Sequence, residues 1–180
     1  MTDKQMVRAI RKLKYPALLN LWNGIMGGNT PGWPRGKAFE YLVLRAFELE
    51  KVEVQYPFAV NLPTGVNEQL DGVIYSAVVT AMVESKDRGA SNVEPIAKLR
   101  SQLQRRPTSV IGVLFSRGGF TVPALALSQH LAPQTILLWP GDEIEIAIKK
   151  RKMAEGLKIK YHMAVERGVP DFSLLTKGVL

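Results

Sequence analysis

Two short apolar runs lying close together, the second ending in an acid and an amine, constrain this chain more than any other stretch. Leu70-Asp71-Gly72-Val73-Ile74-Tyr75 is followed, after a brief turn, by Val78-Val79-Thr80-Ala81-Met82-Val83-Glu84, and then by Ser85 and Lys86. Both runs read as strands, and pairing them as a hairpin brings Asp71 alongside Glu84. Side chains i and i+2 share a face of a strand, so Glu84 and Lys86 project together while Ser85 points the other way. Two acids and an amine then meet at the end of a buried sheet. Burying such groups is costly unless they are paired or coordinate a metal. An isolated Glu-x-Lys is most often the solvated end of an edge strand. Here it is the one acid-x-Lys triplet in the chain, and an aspartate lies in the preceding strand.

The rest of the chain supplies the layers such a hairpin needs. Met6, Val7, Ile10 and Leu13 fall at helical spacing behind Thr2, a candidate N-cap; Pro16 interrupts the pattern, and Leu18 to Met26 resumes it. Gly27 to Pro34 is a loop by composition. With Arg35-Gly36-Lys37 it approaches a P-loop, but Gly32 stands one residue too close and Ala38 replaces the hydroxyl residue that binds Mg²⁺. From Arg35 to about Glu50 the apolar stripe Phe39, Leu42, Val43, Ala46, Phe47 predicts a strong helix, with Glu40 at its border. Val52, Val54 and Tyr56 predict a first strand ended by Pro57, and Pro63-Thr64-Gly65 a turn. Ser91 and Glu94 have capping-box spacing for a helix through Gln104, with Val93, Ile96, Ala97, Leu99 and Leu103 inward and Lys98 and Arg100 outward. Val110 to Phe115 is a continuous apolar run, as expected of a parallel strand covered on both faces. A helix to about His130, a strand Thr135 to Trp139, a helix capped by Asp142 and a last helix from Met153 to Gly168 complete the order.

At 180 residues and 46% hydrophobic the chain is long enough for one domain with a sizeable core. The absence of cysteine excludes disulfides, thiolate zinc sites and cysteine nucleophiles. No apolar run approaches the ~20 residues that span a bilayer, and no signal-peptide core precedes the first helix, so no membrane partner and a cytoplasmic location are expected. The formal charge of +8, gathered at Lys4 to Lys14, Lys98 to Arg106 and Lys149 to Lys152, suits a polyanionic partner such as nucleic acid and, equally, solvated helix faces that keep a chain in solution. His130 and His162 lack metal-pair spacing, no Gly-x-Ser-x-Gly is present, and Gly118-Gly119 lacks the three-glycine dinucleotide spacing.

Asp71, Glu84-Ser85-Lys86 and the Gly36-Lys37-Ala38-Phe39-Glu40 helix start together resemble the PD-(D/E)xK, or restriction-endonuclease-like, nuclease superfamily. Gly112 to Thr121 is similar to the closing segment of its Mrr-like branch. Leu70 stands where the family phrase has its proline. The resemblance runs from about Arg35 to Lys150 and implies an α/β fold: a restriction-endonuclease-like mixed β-sheet flanked by helices, with an αβββαβ core. The expected division is an N-terminal helical extension (1–30), a nuclease core (35–168) and a C-terminal tail (169–180). It further implies a Mg²⁺-dependent endonuclease, with Mn²⁺ as substitute, acting on double-stranded DNA as a homodimer. Asp71, Glu84 and the Ser85 carbonyl would hold the metal, Lys86 would serve the attacking water, and Glu40 would hold a metal-bound water or second ion. Arg35, Lys37, Arg88 and Arg117 would contact nucleic acid. Two alternatives stay open: a nucleic-acid-binding module of the same fold that does not cut, and an assembly subunit that binds an acidic protein.

Overall fold

The computed structural model describes residues 1–63, 65, 67–176 and 178–180. Three helices open the chain: α1 (Asp3–Arg11), α2 (Tyr15–Met26) and α3 (Lys37–Leu49). Strands β1 (Glu53–Gln55), β2 (Phe58–Asn61), β3 (Asn67–Leu70), β4 (Gly72–Tyr75) and β5 (Thr80–Lys86) follow. After them come α4 (Val93–Leu103), β6 (Val110–Ser116), α5 (Val122–Ser128), β7 (Ile136–Pro140), α6 (Gly141–Lys150) and α7 (Met153–Arg167). A five-stranded sheet has the order β1-β4-β5-β6-β7, and β2 and β3 form a separate pair. β4 runs antiparallel to both β1 and β5, whereas β5, β6 and β7 are parallel. With the β2–β3 insertion set aside, α3 to β6 is the α-β-β-β-α-β order of a mixed sheet flanked by helices. The turn expected at Pro63-Thr64-Gly65 contains Thr64, which lies outside the described residues.

Strand alternation divides the apolar residues between two cores. Ala81, Val83, Val113, Phe115, Leu137 and Trp139 face α3, α6 and α7, and Met6, Ile10, Leu18, Trp22 and Ile25 bring α1 and α2 into that same cluster. Met82, Leu114, Ile136 and Leu138 face Ile96, Leu99 and Leu103 of α4 and Ala124 of α5. The burial of β6 on both faces is what its unbroken apolar run requires. Leu174 is buried in the first core, and Pro170 accepts a hydrogen bond from Leu138 N–H, so the tail lies along the outer edge of β7. The opposite edge, β1, is three residues long and begins with Glu53. No helix among the described residues is long and apolar enough to cross a membrane.

Several local expectations are corrected. Leu70 to Tyr75 is not one strand: β3 ends at Leu70, β4 begins at Gly72, and each pairs in a different sheet. β5 begins at Thr80, because the Ser76 hydroxyl accepts from the N–H groups of Val78 and Val79 and holds them in the preceding turn. Asn92, not Ser91, caps α4, its side chain accepting from Glu94 N–H, while the Ser91 hydroxyl pairs with that of Ser116. Val93 and Ala97 are exposed, and Pro95 and Gln102 are buried in their place. Asp142 lies in the first turn of α6 rather than at its cap, which is Pro140.

Candidate active site

Gly72 is where the site begins. Its φ of +154° and the space around it admit no side chain: a Cβ would lie 2.7 Å from both the Gln55 carbonyl oxygen and Leu44 Cδ1. The chain can therefore bend between β3 and β4 and leave Asp71 outside both ladders. The β4–β5 ladder stops at Gly72↔Val83, and Asp71 Oδ2 accepts from the Ser85 N–H at 2.8 Å, taking the place of a ladder partner.

On its other flank β5 stays paired with β6 as far as Lys86↔Ser116. The Lys86 carbonyl accepts from Arg117 N–H at 3.0 Å and so faces β6. Alternation of backbone groups then turns the N–H and C=O of Ser85 the other way, past the end of β4. Glu84 follows Met82 toward α4 and is 1% exposed. There Lys98 Nζ donates to Glu84 Oε2 at 2.7 Å, and Lys86 Nζ stands 2.6 Å from Oε1. That second contact is an ion pair by distance alone, for Glu84 Oε1 and the buried Ser85 hydroxyl both lack a partner in hydrogen-bond geometry. Glu40, in the first turn of α3, is 14% exposed and pairs with Lys37 at 2.5 Å.

These acids act on one another. Burial raises the Asp71 carboxyl to about 7, the Glu84 and Glu40 carboxylates add to the rise, and the Ser85 N–H and Lys98 pull against it. Burial likewise raises Glu40 against the opposing pull of Lys37, with Glu84 adding to the rise. Burial alone would lower Lys98, but Glu84, Asp71 and Glu40 outweigh it and hold the ammonium above its ordinary value.

A cleft of about 590 Å³ opens over this point, with Glu40, Ser85 and Lys86 in its lining, Arg35 and Gly36 on one side and Arg88 to Asn92 with Lys98 on the other. The loop after β5 is fastened to the loop after β6. Gly119 O accepts from Ser91 N–H, Ser91 O accepts from Thr121 N–H, and Arg117 donates to Asp87. The two loops touch so closely that a Cβ at Gly118 would lie 2.4 Å from the Gly89 carbonyl carbon.

Asp71, Glu84, Ser85, Lys86 and Glu40 are thus brought together, and Arg35 and Arg88 are exposed on the rim of the cleft. Lys37 is engaged by Glu40. Arg117 is tied to Asp87 and braces the cleft wall, a role its sequence position does not announce. Lys98, read from sequence as an outward lysine, is indeed half exposed, but its ammonium turns back to the Glu84 carboxylate. A signal for it existed: Pro95, Lys98, Gln102 and Arg105 are spaced as one helical stripe, and that stripe faces the sheet and the β2–β3 pair.

The donors suit a hard divalent cation. Asp71 and Glu84 offer carboxylate oxygens, the Ser85 carbonyl is directed past the end of β4, and a divalent charge would offset both the burial and the neighbouring carboxylates that raise Asp71. Both Glu84 oxygens are engaged by lysines, and among the described residues no three acidic or imidazole side chains form a ready-made metal group. An ion bound to Glu84 would compete with these ammonium groups for its oxygens.

No family model matches the chain. No curated protein matches it. Among solved structures it is similar to AF1548, a protein of unknown function, at 15% identity and a TM-score of 0.45, covering 83% of this chain and 78% of the other. It is similar to the MspJI restriction endonuclease, solved in complex with a 27-mer oligonucleotide, at 18% identity and a TM-score of 0.44, covering 87% of this chain and 35% of that one. It is also similar to the DNA modification-dependent restriction endonuclease AspBHI, at 10% identity and a TM-score of 0.43, covering 91% of this chain and 43% of that one. The chain therefore spans less than half the length of either endonuclease.

Proposed function

We propose that the chain is a Mg²⁺-dependent nuclease that hydrolyses phosphodiester bonds in double-stranded DNA, with Mn²⁺ as a substitute metal. The observation that carries this reading is the meeting of Asp71, Glu84 and Lys86 where β5 outruns β4. Asp71, Glu84 and the Ser85 carbonyl would hold the ion, which when bound neutralises phosphoryl charge and acidifies water. Lys86, on the face of β5 that carries Glu84, orients the attacking water or offsets the charge that develops. Glu40, in the lining of the same cleft, would hold a metal-bound water or a second ion through its carboxylate. Arg35 and Arg88 on the rim pair with phosphates of the flanking nucleotides, and the +8 charge draws the polyanion in. Two copies related by a two-fold axis would cut both strands of a duplex.

Plasmid and oligonucleotide substrates incubated with Mg²⁺ or Mn²⁺ test the proposal. Glu84→Ala and Lys86→Ala are each expected to lower cleavage by roughly 100-fold or more. Cleavage that survives both substitutions removes the site assignment. One observation favours the rival, a binding module that does not cut: the Glu84 charge is already balanced by Lys86 and Lys98. Salt-sensitive DNA binding with no metal-dependent cleavage would select that rival.

A further inference from the structure

Lys98 is half exposed, at 45%, yet its ammonium is spent on a carboxylate that is 1% exposed. It faces the cleft and also a smaller groove of about 300 Å³ between α4 and β3, lined by Asn67, Gln69, Ser101 and Arg105 among others. Its ammonium lies 2.7 Å from Glu84 Oε2, an oxygen that a divalent cation would take, and its charge is also felt at Asp71 and Glu40. Lys86 is placed differently. It is less exposed, at 35%, and its backbone is fixed in the β5–β6 ladder two residues from Glu84. Lys98 instead stands on α4 with a four-carbon stem that reaches water, so its ammonium can swing from Glu84 toward solvent while the β5–β6 ladder stays in place.

We infer that Lys98 is a displaceable counter-ion: it holds Glu84 until a divalent cation takes that carboxylate, and its ammonium then turns to a phosphate of the nucleic acid. The inference rests on the metal-dependent reading of the site. Before loading, Lys98 balances a buried charge that would otherwise be half-paired. After loading, the same ammonium is a free cation on the wall shared by the cleft and the α4–β3 groove. Nucleic-acid affinity then rises with ion binding, and the residue that links the two is Lys98.

Calorimetric titration of MnCl₂ into the wild type, Lys98→Met and Glu84→Gln reads the first half directly, without turnover. Loss of the competing ammonium is expected to tighten Mn²⁺ binding about tenfold in Lys98→Met, and Glu84→Gln is expected to weaken it by more than that. Thermal unfolding adds a second measurement: Lys98→Met should melt below the wild type in EDTA and regain the difference in saturating Mn²⁺. Binding of a labelled duplex oligonucleotide, followed by anisotropy, reads the second half. In EDTA the wild type and Lys98→Met should bind alike. In Ca²⁺ the variant should bind several-fold more weakly, with its log–log salt slope reduced by about one. Unchanged or weaker Mn²⁺ binding in Lys98→Met, with Glu84→Gln impaired, overturns the inference and leaves the reading of the site intact. Equal DNA affinity of the two proteins in Ca²⁺ overturns the transfer to phosphate. No Mn²⁺ binding by the wild type or either variant removes the metal-dependent reading, and Lys98's role with it.

Discussion

Asp71 carries a carboxyl raised to about 7 by burial and by the neighbouring Glu84 and Glu40 carboxylates. Between the unfolded value of 3.8 and that raised value the folded chain binds the proton more tightly than the unfolded chain does. The contribution of Asp71 to stability is therefore complete below the unfolded value and is lost as pH rises through the folded one. Asp71→Asn, which has no proton to lose, should keep its melting temperature where the wild type declines. In EDTA the gap is expected to widen in favour of the variant from about pH 5 to about pH 8, and parallel curves would refute the assignment. Glu84, Ser85 and Lys86 were legible because they are neighbours in sequence, and the period of a strand fixes which of them share a face. The contact of Lys98 with Glu84 was harder to see: its stripe on α4 is spaced regularly, but which way that stripe turns depends on how α4 crosses β5, and a lysine on a helix is ordinarily a solvated one.

At the scale of the elements, the joint between β3 and β4 decides whether the two acids meet. Gly72→Ala would press a methyl group against the Gln55 carbonyl and the Leu44 side chain at an unfavourable φ. The expected cost is roughly 1–3 kcal/mol in urea unfolding. The Ser85 amide, no longer held by Asp71, should exchange its hydrogen faster than in the wild type, and unchanged exchange would show that the joint does not position the acid. The helices and the buried strand β6 could be read from periodicity, since their apolar faces meet apolar partners. The β2–β3 pair could not. Its inward positions in β3 are Glu68 and Leu70, and Glu68 is tolerated there because Arg105 and Arg106 of the segment after α4 grip its carboxylate. A buried acid satisfied by distant arginines erases the apolar alternation on which a strand is recognised.

Across the whole molecule, the C-terminal segment is fastened by a buried pair. Lys160 is wholly buried, lies 2.6 Å from Glu143 of α6, and donates to the Phe172 carbonyl at 2.6 Å. Burial pushes Lys160 down and Glu143 up, each opposed by the charge of the other. Lys160→Met leaves the Glu143 carboxyl without its cation and should cost about 3–5 kcal/mol in urea unfolding. The double variant Lys160→Met/Glu143→Leu should recover most of that loss, and equal losses in the two would show that the pair is not coupled. Sequence periodicity found the α7 helix that carries Lys160, but not that residues after Gly168 would fold back along β7. The sheet thereby offers little to strangers at either margin: one is a short strand begun by an acid, and the other has the segment around Pro170 laid along it. Pairing the five-stranded sheets of two copies edge to edge is disfavoured at both margins, so a partnership between them is expected to be struck through helices or loops.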